Sequence, residues 1–86
     1  MLYYVYILIN LEKRPFHTYV GYTKNLKKRL KLHNNSRGAK FTRGRTWKLI
    51  YKKNYPTKYE AMKKEFELKN NRKERNLIKL KYLRKL

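Results

Sequence analysis

The chain has no cysteine and no aspartate; its acids are five glutamates in 86 residues. Without cysteine there is no disulfide, no thiolate metal site and no cysteine nucleophile. Long apolar runs are missing as well. The first one, Leu2 to Ile9, is too short to span a bilayer and lacks the positive segment and small-residue cleavage site of a signal peptide. A cytoplasmic protein with no membrane partner is expected.

Against this shortage of acids stand 25 lysines and arginines, for a net charge of +20. So much self-repulsion suits a protein that meets a polyanion, and nucleic acid is the default partner. Codon bias toward Lys, Asn and Tyr is the plainer explanation, but bias alone would not suppress Asp entirely. An acidic membrane surface fits less well, because the basic residues are spread over the whole chain rather than along one amphipathic helix. Aromatic residues at 15% and apolar residues at 41% supply a core and argue against disorder. Eighty-six residues make one domain, 1–86, expected to be a monomer.

Leu2 to Ile9 is rich in β-branched and aromatic residues and reads as a strand covered on both faces, with Tyr4 and Tyr6 on one side and Tyr3 and Val5 on the other. A loop over 10–16 leads to a second strand, His17 to Tyr22, paired antiparallel with the first. Gly21 inside that strand signals a bulge or the close approach of another group. Thr23 or Asn25 caps a helix that runs to about Asn34, with 34–38 as its terminator. Trp47 to Lys53 alternates as a third strand burying Trp47, Leu49 and Tyr51. Thr57 and Glu60 form a capping box for a second helix with an apolar face of Ala61, Met62, Phe66 and Leu68, ended by Asn70. Asn71 and Glu74 repeat that signature for a last helix with Leu77, Leu80 and Leu83 inward. The expected fold is α+β, order β-β-α-β-α-α, a small three-stranded antiparallel sheet flanked by helices.

Several residues do not fit simple packing. Leu26, Arg29, Leu30 and His33 share one helix face, so a guanidinium and an imidazole point inward where leucines would be expected. Arg29 alone could snorkel, and His33 alone could be a satisfied core histidine. A half-buried guanidinium needs an anion, and with so few carboxylates available a substrate phosphate is a candidate. Glu65 lies between Ala61 and Leu68 in the apolar stripe, the one carboxylate placed to face the interior; a structural salt bridge to a lysine is its plainer reading. The loop Gly38 to Thr46 is basic with one aromatic: Lys40, Arg43 and Arg45 could follow a phosphate backbone while Phe41 stacks on a base, or Phe41 could turn inward.

If both helices pack on one end of the sheet, Tyr6, Tyr19, Arg29, His33 and Glu65 converge. That set suits phosphodiester hydrolysis. One carboxylate can hold a hard divalent ion that keeps most of its waters, as Mg²⁺ prefers. An arginine forked onto a phosphate stabilises growing charge, and a tyrosine or histidine can take a proton from water, although a tyrosine needs help from nearby positive charge.

Tyr4-Val-Tyr6, then Tyr19-Val-Gly21, Arg29 and His33 on a helix, Gly38-Ala-Lys-Phe-Thr42 and Glu65 together resemble the GIY-YIG nuclease superfamily, and most closely its small single-domain members. The resemblance covers nearly the whole chain. It implies that Tyr6 is the general base or positions the attacking water, that Tyr19 lies near the scissile phosphate and that Arg29 contacts it. It also implies that His33 aids proton transfer or phosphate binding, and that Glu65 binds the metal, Mg²⁺ or Mn²⁺. Two positions depart from the pattern: Tyr4 stands where the first glycine would be, and Tyr22 where some members carry a lysine. A helpful asparagine follows the glutamate in some relatives; Asn76 is near the right distance, with Asn70 and Asn71 as alternatives.

The expectation is therefore a metal-dependent endonuclease acting on DNA, structure-selective or weakly specific, on branched, flapped or single-stranded substrates in repair or recombination. The alternative is a non-catalytic nucleic-acid-binding module on the same fold.

Overall fold

A computed structural model describes residues 2–86. Its first strand, β1 (Tyr3–Ile9), is the middle of a three-stranded antiparallel sheet, flanked by β2 (Thr18–Thr23) and β3 (Lys48–Tyr55). The unbroken apolar run of β1 follows from this central position, since both faces are covered: Val5, Tyr6, Ile7, Leu8 and Ile9 are all buried. Alternation then makes two cores. Val5 and Ile7, with Val20 of β2, pack against Ala61 and Leu68 of α2 (Lys58–Lys69) and against Ile78 of α3 (Arg72–Leu83). Tyr6 and Leu8 on the other face pack against Trp47 and against Leu26 and Leu30 of α1 (Leu26–Asn34). The element order is β-β-α-β-α-α, the α+β fold expected.

The caps are where the sequence places them. Asn25 accepts from the Lys28 N–H, Thr57 from the Glu60 N–H and Asn71 from the Glu74 N–H, each satisfying one of the donors that a helix start leaves free. α1 ends in a reversal through Ser36 at φ 60°, with the Arg37 N–H bonded to the Leu32 carbonyl and the Ser36 N–H to that of His33. This left-handed C-terminal motif is unusual on serine and turns the chain sharply back toward α1.

Three packing expectations are corrected. Pairing of β1 with β3 slips at Ile7/Leu8: Ile7 opposes Tyr51 but Leu8 opposes Leu49, so Ile50 is an extra residue. The bulge breaks the alternation, and Tyr51 packs with the α2 core while Leu49 joins Trp47 on the other face. Met62 and Phe66 of α2 are exposed, because only the line through Ala61 and Leu68 meets the sheet. On α3, Leu77 and Leu80 are exposed and Ile78 packs inward. The reason lies one turn earlier: Arg75 donates to the Leu68 and Lys69 carbonyls at the end of α2, and that bond sets the rotation of α3 about its axis.

One polar side chain ties the face of α1 to the sheet. Asn34 Oδ1 accepts from the Trp47 N–H at 2.6 Å, and its Nδ2 donates to the Trp47 carbonyl at 3.1 Å. Asn34→Ala is expected to remove about 1–3 kcal/mol of stability, read as a lower urea midpoint. Asn35→Ala, at an exposed position beside it, should stay within about 0.5 kcal/mol.

Candidate active site

The residues singled out by the sequence meet at the outer edge of β2, and they reach it from both faces of the sheet. α1 and α2 do not share a face; Arg29 and Glu65 approach the same edge from opposite sides. A cavity of about 280 Å³ there is lined by Tyr6, Tyr19, Gly21, Tyr22, Thr23, Arg29 and Glu65. Gly21 makes it possible. It is the cross-strand partner of Tyr6, and a Cβ at Gly21 would collide with Oη and Cζ of Tyr6 and crowd the Tyr19 ring. The glycine is required by close approach, and its absent side chain is the space through which the Tyr6 hydroxyl faces the cavity.

His33 lies behind Tyr6, fully buried. Its Nε2 is 2.9 Å from Tyr6 Oη and its Nδ1 is 2.9 Å from Thr42 Oγ1. The Thr42 hydroxyl donates to the Ala39 carbonyl at 2.9 Å and accepts from the Ala39 N–H at 3.2 Å, so its one proton is committed. Nδ1 of His33 must then be the protonated nitrogen, donating to Thr42, and Nε2 is the lone pair that accepts from the Tyr6 O–H. The turn through Ser36 brings this clamp into place. Gly38, two residues on, lies so close against the imidazole that a Cβ would overlap Nδ1, and Lys40–Thr42 forms a single 3₁₀ turn over it.

Burial pushes the Tyr6 hydroxyl up to about 12, against the opposing pull of the Arg29 guanidinium. Burial, with a further contribution from the Arg29 charge, pushes His33 down to about 4. Arg29, held further in its charged form by the Tyr6 hydroxyl, has its Nε buried without a hydrogen-bond partner. The resting pair is thus a neutral tyrosine and a neutral histidine beside a cation with an unspent donor.

Glu65 is the one carboxylate lining this cavity; its side chain is 19% exposed and its Oε1 lies 3.3 Å from Lys69 Nζ, one turn on. Among the described residues no group of three or more His, Cys, Asp or Glu comes together. A lone carboxylate facing a solvent-open pocket fits a hard divalent ion that takes most of its ligands from water and substrate, the habit of Mg²⁺, and does not fit one that needs an all-protein cage.

A sequence model of the GIY-YIG catalytic domain matches residues 2–79. This chain belongs to the GIY-YIG family. Among its relatives, the UPF0213 protein BH0048 of Halalkalibacterium halodurans is 42% identical over 84 residues, 94% of this chain and 86% of the relative. The UPF0213 protein OB0043 of Oceanobacillus iheyensis is 45% identical over 67 residues, 77% of this chain and 74% of the relative. The solution NMR structure of BH0048 superposes with a TM-score of 0.52, covering 94% of this chain and 86% of that one. The relatives are UPF0213 proteins, a small single-domain GIY-YIG family, and the GIY-YIG family is of nuclease type.

Within this GIY-YIG chain, Tyr6, Tyr19, Arg29 and Glu65 share one cavity, and His33 reaches it through Tyr6. Tyr19 lies beside both members of that hydrogen-bonded pair, its ring centroid 6.4 Å from Tyr6 and 4.9 Å from His33. Lys40, Phe41, Arg43 and Arg45 lie outside the cavity on the loop that follows α1; Lys40 and Arg43 are exposed, and Arg45 is half-buried with its Cζ 5.2 Å from the Phe41 ring. Asn76 is exposed on α3 and Asn70 bonds the Phe66 carbonyl; neither lines the cavity. A larger cavity of about 450 Å³ lies under the β1–β2 loop; of the residues predicted from the sequence, Arg45 alone lines it. Sequence reasoning misses Thr42, fully buried at the far end of the relay, and Lys69: a threonine in a basic loop has no periodicity to mark it, and Lys69 looks like any exposed lysine.

An NMR titration of the His33 imidazole is expected to give a midpoint near 4, well below the ordinary 6.5. Between those two values the unfolded chain binds more protons than the folded one. His33 therefore costs nothing above 6.5, lowers stability as pH falls toward 4, and costs no more below that. Urea midpoints followed from about pH 7 to about pH 4 should fall less in His33→Gln than in the unaltered protein. An equal fall in both would show that the histidine is not held neutral.

Proposed function

We propose that this chain is a metal-dependent endonuclease that hydrolyses DNA phosphodiesters, acting as a monomer on branched, flapped or single-stranded DNA in repair or recombination. The observation that carries the reading is Arg29, whose Nε is buried without a hydrogen-bond partner, lining one cavity with Tyr6 and Glu65. A buried guanidinium donor without an acceptor is costly in a structural role and useful to an incoming phosphate oxygen.

The first step is binding. The +20 charge draws a polyanion in, and Arg29 forks onto the scissile phosphate near Tyr19. Glu65 would hold the Mg²⁺ or Mn²⁺ ion, which supplies a Lewis acid for the phosphoryl and leaving oxygens. Lys69 must then give up its ion pair with Glu65.

Tyr6 cannot serve as a resting phenolate with its hydroxyl pushed up to about 12. It can act as a relay. A water in the cavity donates to Tyr6 Oη, Tyr6 passes its own proton to His33 Nε2, and Oη takes the water's proton as the water oxygen attacks phosphorus. His33 is a poor acceptor while Arg29 is unpaired, since that cation helps hold it near 4. A phosphate on Arg29 offsets that charge and raises the basicity of His33, which burial still keeps low. As the P–O bond breaks, the leaving oxygen is protonated from solvent. Nothing in this site reads base edges, which accords with selection by DNA structure over sequence.

The test is incubation with plasmid, single-stranded, flapped and four-way-branched DNA in Mg²⁺, Mn²⁺ or EDTA. Metal-dependent cleavage should vanish in Glu65→Ala while DNA binding persists, and Arg29→Ala should lose about a hundredfold in rate. Binding should fall with salt at a log-log slope of about 0.7 to 0.9 per phosphate neutralised. Tight salt-sensitive binding without cleavage by any form would make the protein a binding module.

A further inference from the structure

We propose that a second cavity, next to the active site on the β2 edge, is a subsite for one unpaired nucleotide whose base lies against Phe41. This deepens the nuclease reading and rests on nucleic acid being what occupies the active-site cavity. The second cavity, about 310 Å³, is lined by Thr18, Tyr19, Val20, Phe41, Lys69 and Arg75. Tyr19 is a wall of both, so a strand with its phosphate on Arg29 has its neighbouring nucleotide at this opening.

Its chemistry is that of a base platform. Phe41 is 49% exposed although Tyr19, Trp47 and His17 surround it, each with its ring centroid within 6.4 Å. It runs near parallel to the Tyr19 ring, at 20°, and both residues line this cavity. A phenylalanine needed only for packing would turn into that cluster; this one keeps nearly half its surface in water. Cations border the platform. Lys69 and Arg75 line the cavity itself, and the Arg45 guanidinium lies 5.2 Å from the centre of the Phe41 ring.

The volume, about 310 Å³, has room for one base with its sugar. A base inside a duplex already has both faces stacked, so an aromatic platform of this size selects a nucleotide that is unpaired or swung out of the helix. Every base has such a face, which makes the selection independent of sequence. The preferred substrate is therefore a strand with an unpaired nucleotide beside the scissile phosphate, as at a flap or single-strand junction.

The experiment measures binding of the full chain in EDTA, where no cleavage occurs, to a single strand carrying 2-aminopurine and to a blunt duplex. The unaltered protein should quench 2-aminopurine fluorescence on the single strand. Phe41→Ala should abolish the quenching and weaken single-strand binding by roughly five- to a hundredfold, leaving blunt-duplex binding within about twofold, and Phe41→Trp should restore both. Circular dichroism melting of each variant keeps a folding defect from passing as a binding one; the Trp variant carries the test if Phe41→Ala melts early. Single-strand binding unchanged by Phe41→Ala, or lost equally on both DNAs, overturns the subsite. Cleavage assayed in parallel separates the two readings: metal-dependent cleavage with no effect of Phe41 leaves the nuclease without this subsite. Base stacking without cleavage leaves the subsite and removes the nuclease.

Discussion

The hydrogen bond between Tyr6 and His33 is the contact on which both the fold and the site depend. It runs from the middle strand to the inner face of α1, inside the same core that contains Leu8 and Trp47. The hydrogen-bonded pair is thus part of the packing. Two positions exist to make room for it: Gly21 on the side of the tyrosine and Gly38 on the side of the histidine, each vacating the space that a Cβ would fill. An aliphatic pair at positions 6 and 33 would pack as well without either glycine. What the polar pair adds is an orientation, a hydroxyl proton aimed at a bare imidazole nitrogen, and Thr42 fixes that orientation by having no proton left to give.

Electrostatics then separates the roles. Burial alone would hold the relay neutral and inert, with the tyrosine high and the histidine low. Arg29 adds to the effect of burial on His33 and opposes it on Tyr6, and an anion on the guanidinium would offset both contributions. Glu65 is treated in parallel. In a chain with 25 cations and five carboxylates, its ion pair with Lys69 holds it in place at a surface strength that a divalent ion can displace.

Much of this is legible in the sequence because anomalies survive in periodic elements. The helical spacing of α1 is enough to make Arg29 and His33 inward residues, and Glu65 stands out between Ala61 and Leu68 for the same reason. Gly21 is legible as a close approach, though not what approaches it. The failures have one source, contacts that belong to no period. The extra residue Ile50 shifts Tyr51 to the other face; the bond from Arg75 to the end of α2 turns α3 so that Ile78 faces in where Leu77 and Leu80 have the better pattern. Thr42 is invisible for the same reason, since its meaning comes from a serine at positive φ that folds the loop back. The arrangement of α1 and α2 on opposite faces could not be read from amphipathicity, which says that a helix face is buried but not on which side of a sheet.

That opposition has a consequence for what else the fold can be. Residues from two faces can meet only around an unpaired edge, so β2 must remain the outer strand: a fourth strand beside it would seal the cavity from Arg29 to Glu65. An open edge strand is ordinarily a hazard, because its free backbone groups pair with those of other chains. Here Lys69 and Arg75 flank the edge, on a chain of net charge +20. Two copies approaching edge to edge repel each other, while a polyanion approaching the same edge is attracted. On the proposed function, the excess of basic residues keeps copies apart and draws a polyanion in through one mechanism. The same reading accounts for an uncovered edge on a domain of this size: the group that would cover it is the substrate.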